Sequence, residues 1–122
     1  MSATASDLSL ESEEIEGIKV FAQKVEGLDS SALRETADQL RNKEKNSLIV
    51  LISVSGDKIP IVIATHKDLE KVDARKVMDY MTNFLGGSGG GRSDFSQGGI
   101  ENDKDIDIAL ASLSEFLVSL TS

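Results

Sequence analysis

Leu48-Ile49-Val50-Leu51-Ile52 is apolar without interruption, and Ile49, Val50 and Ile52 are β-branched. A run this short and this continuous reads as a β-strand buried on both faces. It constrains the fold more than any other feature, because each face of such a strand needs a covering layer. The flanking sequence can supply those layers. Ile18, Val20 and Ala22 alternate with Lys19, Phe21 and Gln23, which predicts a strand ending near Val25. Glu26-Gly27-Leu28-Asp29 is a turn, and Asp29 or Ser30 is placed to cap a helix running to about Lys43. Leu33, Ala37 and Leu40 give that helix one apolar stripe. Ser55-Gly56-Asp57-Lys58 predicts a hairpin connection to a second apolar strand, Ile59 to Ala64, with Pro60 near its start or on an edge. A second helix, capped near Asp73, carries Val77, Met81, Phe84 and Leu85 on one side and stops at Gly86. Ile106, Leu110, Leu113 and Leu117 stripe a final helix, with Asp103, Asp105 and Asp107 suited to its N-terminal end. The expected fold class is α/β (α+β): a small mixed β-sheet with helices packed on it, in the order β-α-β-β-α-Gly-rich loop-α.

Composition narrows the chemistry. The 122 residues include no Cys and one His, His66. Thiol nucleophiles, disulfides and Cys-based zinc sites are excluded, and so is a multi-histidine metal site within one chain. The serines have no evident His–Asp partnership, and the aspartates at 103, 105 and 107 lack the Gly and Glu of an EF-hand loop. No catalytic site and no metal site is expected. No apolar stretch approaches the roughly 18 residues of a membrane span. The start, MSATASDLSLESEEIEG, has neither a basic n-region nor an apolar core. The expectation is therefore no membrane contact and a cytoplasmic location, with an organelle as the alternative.

The formal net charge of −8 is unevenly spread. Residues 1–17 carry five acids and no base, residues 92–122 six acids and two bases, and residues 18–91 ten acids and eleven bases. The balanced middle leaves room for an anionic partner that the total would argue against. Residues 1–16 read as an acidic flexible lead-in or connector stub, and 17–122 as the globular domain.

Seven of the ten glycines fall in one stretch, GGSGGGRSDFSQGG at 86–99. Such a run costs folding entropy. A flexible or structural loop is one explanation. Close approach of a ligand to the backbone is the other, since successive N–H groups can cradle an anion. Arg92 would add planar donors for a phosphate, and Phe95 would either stack on a nucleotide or anchor the loop, the anchor being favoured. Neither the P-loop nor the dinucleotide fingerprint fits, because no Lys follows the glycines and the stretch follows a helix rather than a strand.

This stretch resembles the glycine-rich signature near the C-terminal end of alanyl-tRNA synthetases. VFAQKVEGLDSSALRETADQLRNK at 20–43 is similar to the strand, turn and helix that open the same domain. IPIVIATHKDL at 59–69 is similar to its central strand and the turn after it. The similarity runs over residues 17–120 in the family's order, and the domain is related to the DHHA1 module. Ser88 interrupts the family's glycine run, and Ser93 stands where Pro usually follows the Arg.

The resemblance implies a C-terminal tRNA-binding accessory domain that is not itself an enzyme. Its parent would attach alanine to tRNA-Ala and edit mischarged tRNA. The domain would touch the tRNA elbow weakly, by shape and phosphate. Its other partners would be the catalytic and editing domains of the parent, and a homodimer would form through a helical connector of which residues 1–16 are a stub. No cofactor is expected in this chain, because ATP and zinc would belong to other domains of the parent. The candidate nucleic-acid-binding residues are Gly86, Gly87, Gly89, Gly90, Gly91, Arg92, Gln97, Gly98 and Gly99, with Lys67, Lys71 and Arg75 as a neighbouring basic ridge. Arg41, Lys43 and Lys45 read instead as cations favoured at a helix C-terminus. The alternative function is a protein–protein or oligomerisation module acting through Leu110, Leu113 and Leu117.

Overall fold

The computed structural model describes residues 13–54, 59–67, 69, 71–101 and 104–121. In chain order the elements are β1 (Glu13–Ile15), β2 (Ile18–Glu26), α1 (Ser30–Lys43), β3 (Ser47–Val54), β4 (Ile59–Thr65), α2 (Ala74–Leu85), β5 (Gly87–Arg92), β6 (Phe95–Ile100) and α3 (Ile106–Thr121). The six strands form one mixed sheet in the order β1-β2-β3-β4-β6-β5. β2 and β3 are parallel, as the α1 crossover between them requires. All other neighbours are antiparallel. The mixed sheet with packed helices agrees with the expected fold class. The connection expected at 55–58 lies outside the described residues, and the strands it would join do pair antiparallel.

Side-chain alternation sorts the core into two layers. Val20, Leu48, Val50, Ile52, Ile61 and Ile63 face α2 and α3, where Val77, Met78, Met81, Ile106, Leu113 and Leu117 meet them. Phe21, Val25, Ile49, Leu51, Val62 and Ala64 face α1 and its Leu33, Ala37 and Leu40. Leu48 through Ile52 are all fully buried, so β3 is the two-sided strand that its apolar run predicts. Caps fall where the sequence placed them. Asp29 Oδ1 accepts from the Ala32 N–H at 2.8 Å, and Asp73 accepts from the Arg75 N–H at 2.9 Å. Gly86 ends α2 at φ 81°, its N–H donating to the Thr82 carbonyl. Leu113 and Leu117, expected to be available for a second chain, are buried against the sheet, and Leu110 is partly buried beside them.

Two departures concern strands. Glu13–Ile15 forms a short edge strand, joined to β2 by Glu16 and Gly17, both at positive φ as a tight hairpin requires. The larger departure is the glycine-rich stretch. It is a β-hairpin and not a loop: β5 and β6 pair from Gly87↔Ile100 to Arg92↔Phe95, with Ser93-Asp94 as the turn. Its glycines answer to steric limits inside the hairpin. A Cβ on Gly98 would stand 2.3 Å from the Ser88 carbonyl oxygen, and one on Gly89 would stand 2.6 Å from Met78 Sδ on α2. The backbone of β5 thus lies directly against the Met78 side chain of α2.

Gly98→Ala should destabilise the domain by about 1–3 kcal/mol, the usual range for forced overpacking. The denaturation midpoint would fall with little change in the m-value. An unchanged midpoint would show that the hairpin yields easily.

Candidate nucleic-acid interface

The hairpin is held in place at its turn. The Asp94 carbonyl accepts from the Thr65 N–H at 2.9 Å, and the Ser93 carbonyl from the Ala74 N–H at 2.7 Å. The turn is thereby fixed to the end of β4 and the start of α2. From the other face, Arg41 on α1 fastens the same turn. Its guanidinium donates to the Asp94 carbonyl at 3.0 Å and to Asp94 Oδ2 at 3.2 Å. It also donates to Asp38 Oδ1 at 2.8 Å and lies 5.0 Å from the centre of the Phe95 ring. The Arg41 side chain is only 16% exposed, so these contacts occupy it. Phe95 packs against the α1-side core with Arg41 over its ring, which makes it an anchor for the hairpin.

The arrangement leaves a groove on the α1 side of the hairpin. Arg34, Glu35 and Asp38 of α1 form one wall, and Arg92 and Phe95 lie across from them. Farther along, Arg34 also borders a depression made by Pro60, Gln97 and Gly98. Arg92 is 76% exposed and only loosely paired with Asp94 at 3.6 Å.

The remaining candidates separate. Gly86, Gly87 and Gly91 hold positive φ, and a Cβ on Gly87 or Gly91 would collide with the backbone of β6, so these three serve the hairpin. Gly89 and Gly98 are the close-approach positions described above. Gly90 and Gly99 are different. A Cβ on Gly90 would meet nothing within 4 Å, and one on Gly99 would only reach the Ile59 carbonyl at 4.0 Å. Lys67 borders a cleft at the turn end of the hairpin, together with His66, Asp73, Ser93 and Asp94. Arg75 is clasped by Asp73 through contacts of 2.8 and 3.0 Å. That clasp holds the Asp73 carboxyl below its ordinary value of 3.8 and the Arg75 guanidinium above its ordinary value. Lys71 is exposed. The ridge therefore adjoins the turn of the hairpin but shares its space with Asp73 and Asp94.

Two residues of this face were not among the candidates. Arg34 is exposed on α1 and makes no ion pair with a described residue. Arg41 read as a helix-end cation and proves to be the hairpin's fastener. Their spacing of seven residues sets both on one side of α1, a signal present in the sequence but without meaning until the hairpin's position is known.

A DHHA1 domain model matches residues 17–119. The chain belongs to the DHHA1 domain family. The alanine–tRNA ligase of Hydrogenovibrio crunogenus is 36% identical over 120 residues, which is 98% of this chain and 14% of that protein. The alanine–tRNA ligase of Vesicomyosocius okutanii is 38% identical over 112 residues, 91% of this chain and 13% of that protein. The DHHA1 domain thus spans a small part of the length of the curated relatives it matches. The C-Ala domain of Aquifex aeolicus alanyl-tRNA synthetase superposes with a TM-score of 0.83 at 32% identity, covering 88% of this chain and 98% of that one. By these similarities it is a DHHA1 domain of the alanyl-tRNA synthetase type. A DHH-domain member of the s1p family of ribosomal proteins shares the fold alone, with a TM-score of 0.57 at 16% identity over 88% of this chain and 28% of that one. Among the described residues no group of three or more His, Asp or Glu is placed to hold a metal ion, and no helix is long and apolar enough to cross a membrane.

Arg41→Ala should cost about 1–3 kcal/mol, because it removes hydrogen bonds of a charged group and the Phe95 contact together. Amide exchange at residues 93–95 should quicken more than exchange in β3; equal quickening would mean that Arg41 does not fasten the hairpin. Asp73→Ala should cost about 1 kcal/mol through loss of the α2 cap. Because the Asp73 pKa is depressed in the folded state, its contribution is complete above the ordinary carboxylate range and is lost as pH falls through the lowered value. The stability difference between wild type and Asp73→Ala should therefore shrink only on strong acidification, as a pH series of urea midpoints would show.

Proposed function

We propose that this domain binds tRNA-Ala as the C-terminal accessory domain of an alanine–tRNA ligase, touching the tRNA elbow by shape and phosphate. The observation that carries the reading is the exposed glycine hairpin with Arg92 at its end, loosely paired and open to solvent. Arginine presents planar donors matched to phosphate oxygens. A folded RNA offers a dense phosphate surface that needs no base to be read. The similarity to alanine–tRNA ligases and to the C-Ala domain supports tRNA-Ala as the RNA.

Affinity of the isolated domain is weak in this reading. A chain of net charge −8 repels a polyanion at long range, and only a few open cations are available to neutralise phosphates. In the parent, tethering to the catalytic and editing domains raises the effective concentration, so a weak contact suffices to hold tRNA between aminoacylation and editing. The parent works in the cytoplasm, and its dimer forms through the helical connector.

A titration of the domain with tRNA-Ala at two salt concentrations tests the reading. Binding should weaken with salt, and Arg92→Ala should both lower affinity and flatten the log–log salt dependence by roughly 0.7–0.9 of a unit, one phosphate contact. Absence of binding even at the lower salt overturns it.

A further inference from the structure

We infer that the RNA-contacting face is the groove between α1 and the glycine hairpin, with Arg34 and Arg92 as its phosphate ligands and Gly90 and Gly99 as a floor left bare for a ribose–phosphate backbone. The inference rests on the tRNA-binding reading and fixes which side of the sheet carries it.

The first argument comes from the glycines themselves. Gly86, Gly87, Gly89, Gly91 and Gly98 are each explained by a positive φ, a backbone collision or the approach of Met78. Gly90 and Gly99 are not. Neither has φ in the left-handed region, and at both the space where a Cβ would stand is open. A β-strand normally gains from a side chain at such positions, because glycine there carries an entropic cost with no packing return. Register sets their direction. Gly90 pairs with Gln97 and Gly99 with Ser88. These positions alternate with Gly89, which points at Met78 of α2, so they lie on the opposite face, the face of Phe95 and α1. The bare positions open onto the same side as Arg92 and Arg34.

The second argument is the state of the cations. On the α2 side, Arg75 is clasped by Asp73, and Lys67 shares its cleft with Asp73 and Asp94. On the α1 side, Arg41 is occupied and nearly covered, and it takes up Asp38 and Asp94 while doing so. What remains at the groove is Arg34, exposed and without an ion pair to a described residue, and Arg92, exposed and held only at 3.6 Å. Glu35 is the one acid of that wall not engaged by Arg41. Two arginines flanking a strand surface where Gly90 and Gly99 alternate with only Ser88 and Gln97 suit a backbone that must approach closely and present phosphates at both sides. Gln97, beside Gly90 on this face, supplies a neutral donor and acceptor for a 2′-hydroxyl.

The test uses the 122-residue chain and a tRNA-Ala transcript, with affinity read by fluorescence anisotropy and stability by thermal melting. Gly90→Thr should leave the melting temperature equal or higher and lower RNA affinity about tenfold, because its side chain fills the contact and not the fold. Arg34→Gln should weaken binding and flatten the salt dependence as Arg92→Ala does, while Glu35→Gln should strengthen binding. Lys19→Ala, on β2 and away from the hairpin, should bind as wild type, while Lys71→Ala reports on the competing α2 side. If wild type binds and Gly90→Thr and Arg34→Gln bind equally well, the groove is overturned and the tRNA-binding reading stands. If Lys71→Ala alone weakens binding, the α2 side is the interface. If wild type does not bind, both inferences fall together.

Discussion

Full burial of β3 on both faces organises everything else in this domain. Ile49 and Leu51 need α1, while Leu48, Val50 and Ile52 need α2 and α3. Each fully buried Ile, Leu or Val stabilises the fold by roughly 1.5–3 kcal/mol relative to exposure. The parallel pairing of β2 with β3 follows from the same demand, because it carries the chain through α1 and lays that helix over the strand it has to cover. The sheet can then grow outward through β4 to the glycine hairpin, which reaches beyond the helices' full cover and ends the molecule on a bare edge.

The hairpin illustrates how a segment with almost no side chains can still be well fixed. It contributes little apolar area of its own, so its position depends on polar fastening at the turn. Two backbone hydrogen bonds tie Ser93 and Asp94 to β4 and α2, and Arg41 ties Asp94 and Phe95 to α1. Fixing the turn from both sides of the sheet fixes the register of β5 and β6, and register decides which glycines face Met78 and which face open space. Stability and surface chemistry are thus divided residue by residue along one strand.

The sequence was most legible where hydrophobic periodicity was strong. β2, α1, β3, β4, α2 and α3 were all visible, and both Asp caps and the Gly86 stop fell where capping chemistry places them. β1 was not visible, since Glu13 and Glu14 carry no strand signal and Glu16-Gly17 is a weak hairpin pair. The glycine stretch read as a loop because strand propensity is measured on side chains, and a glycine strand owes its pairing wholly to its neighbour β6 and to the helix behind it. The same tertiary dependence concealed Arg34 and Arg41. Their sequence neighbours say only that they lie on a polar helix face, and the partner surface comes from residues more than fifty positions away.

One consequence concerns the order in which the protein is made. Its sheet is laid down nearly in sequence from β1 to β4, yet α3, which covers β1 and β2, comes after all six strands. During synthesis the α1 side can close early, while Val20 and Ile18 on the other side stay open to water until α3 emerges. The nascent chain therefore passes through a stage with one finished face and one exposed apolar face. An arrest anywhere in α3 would leave a half-covered sheet open to aggregation.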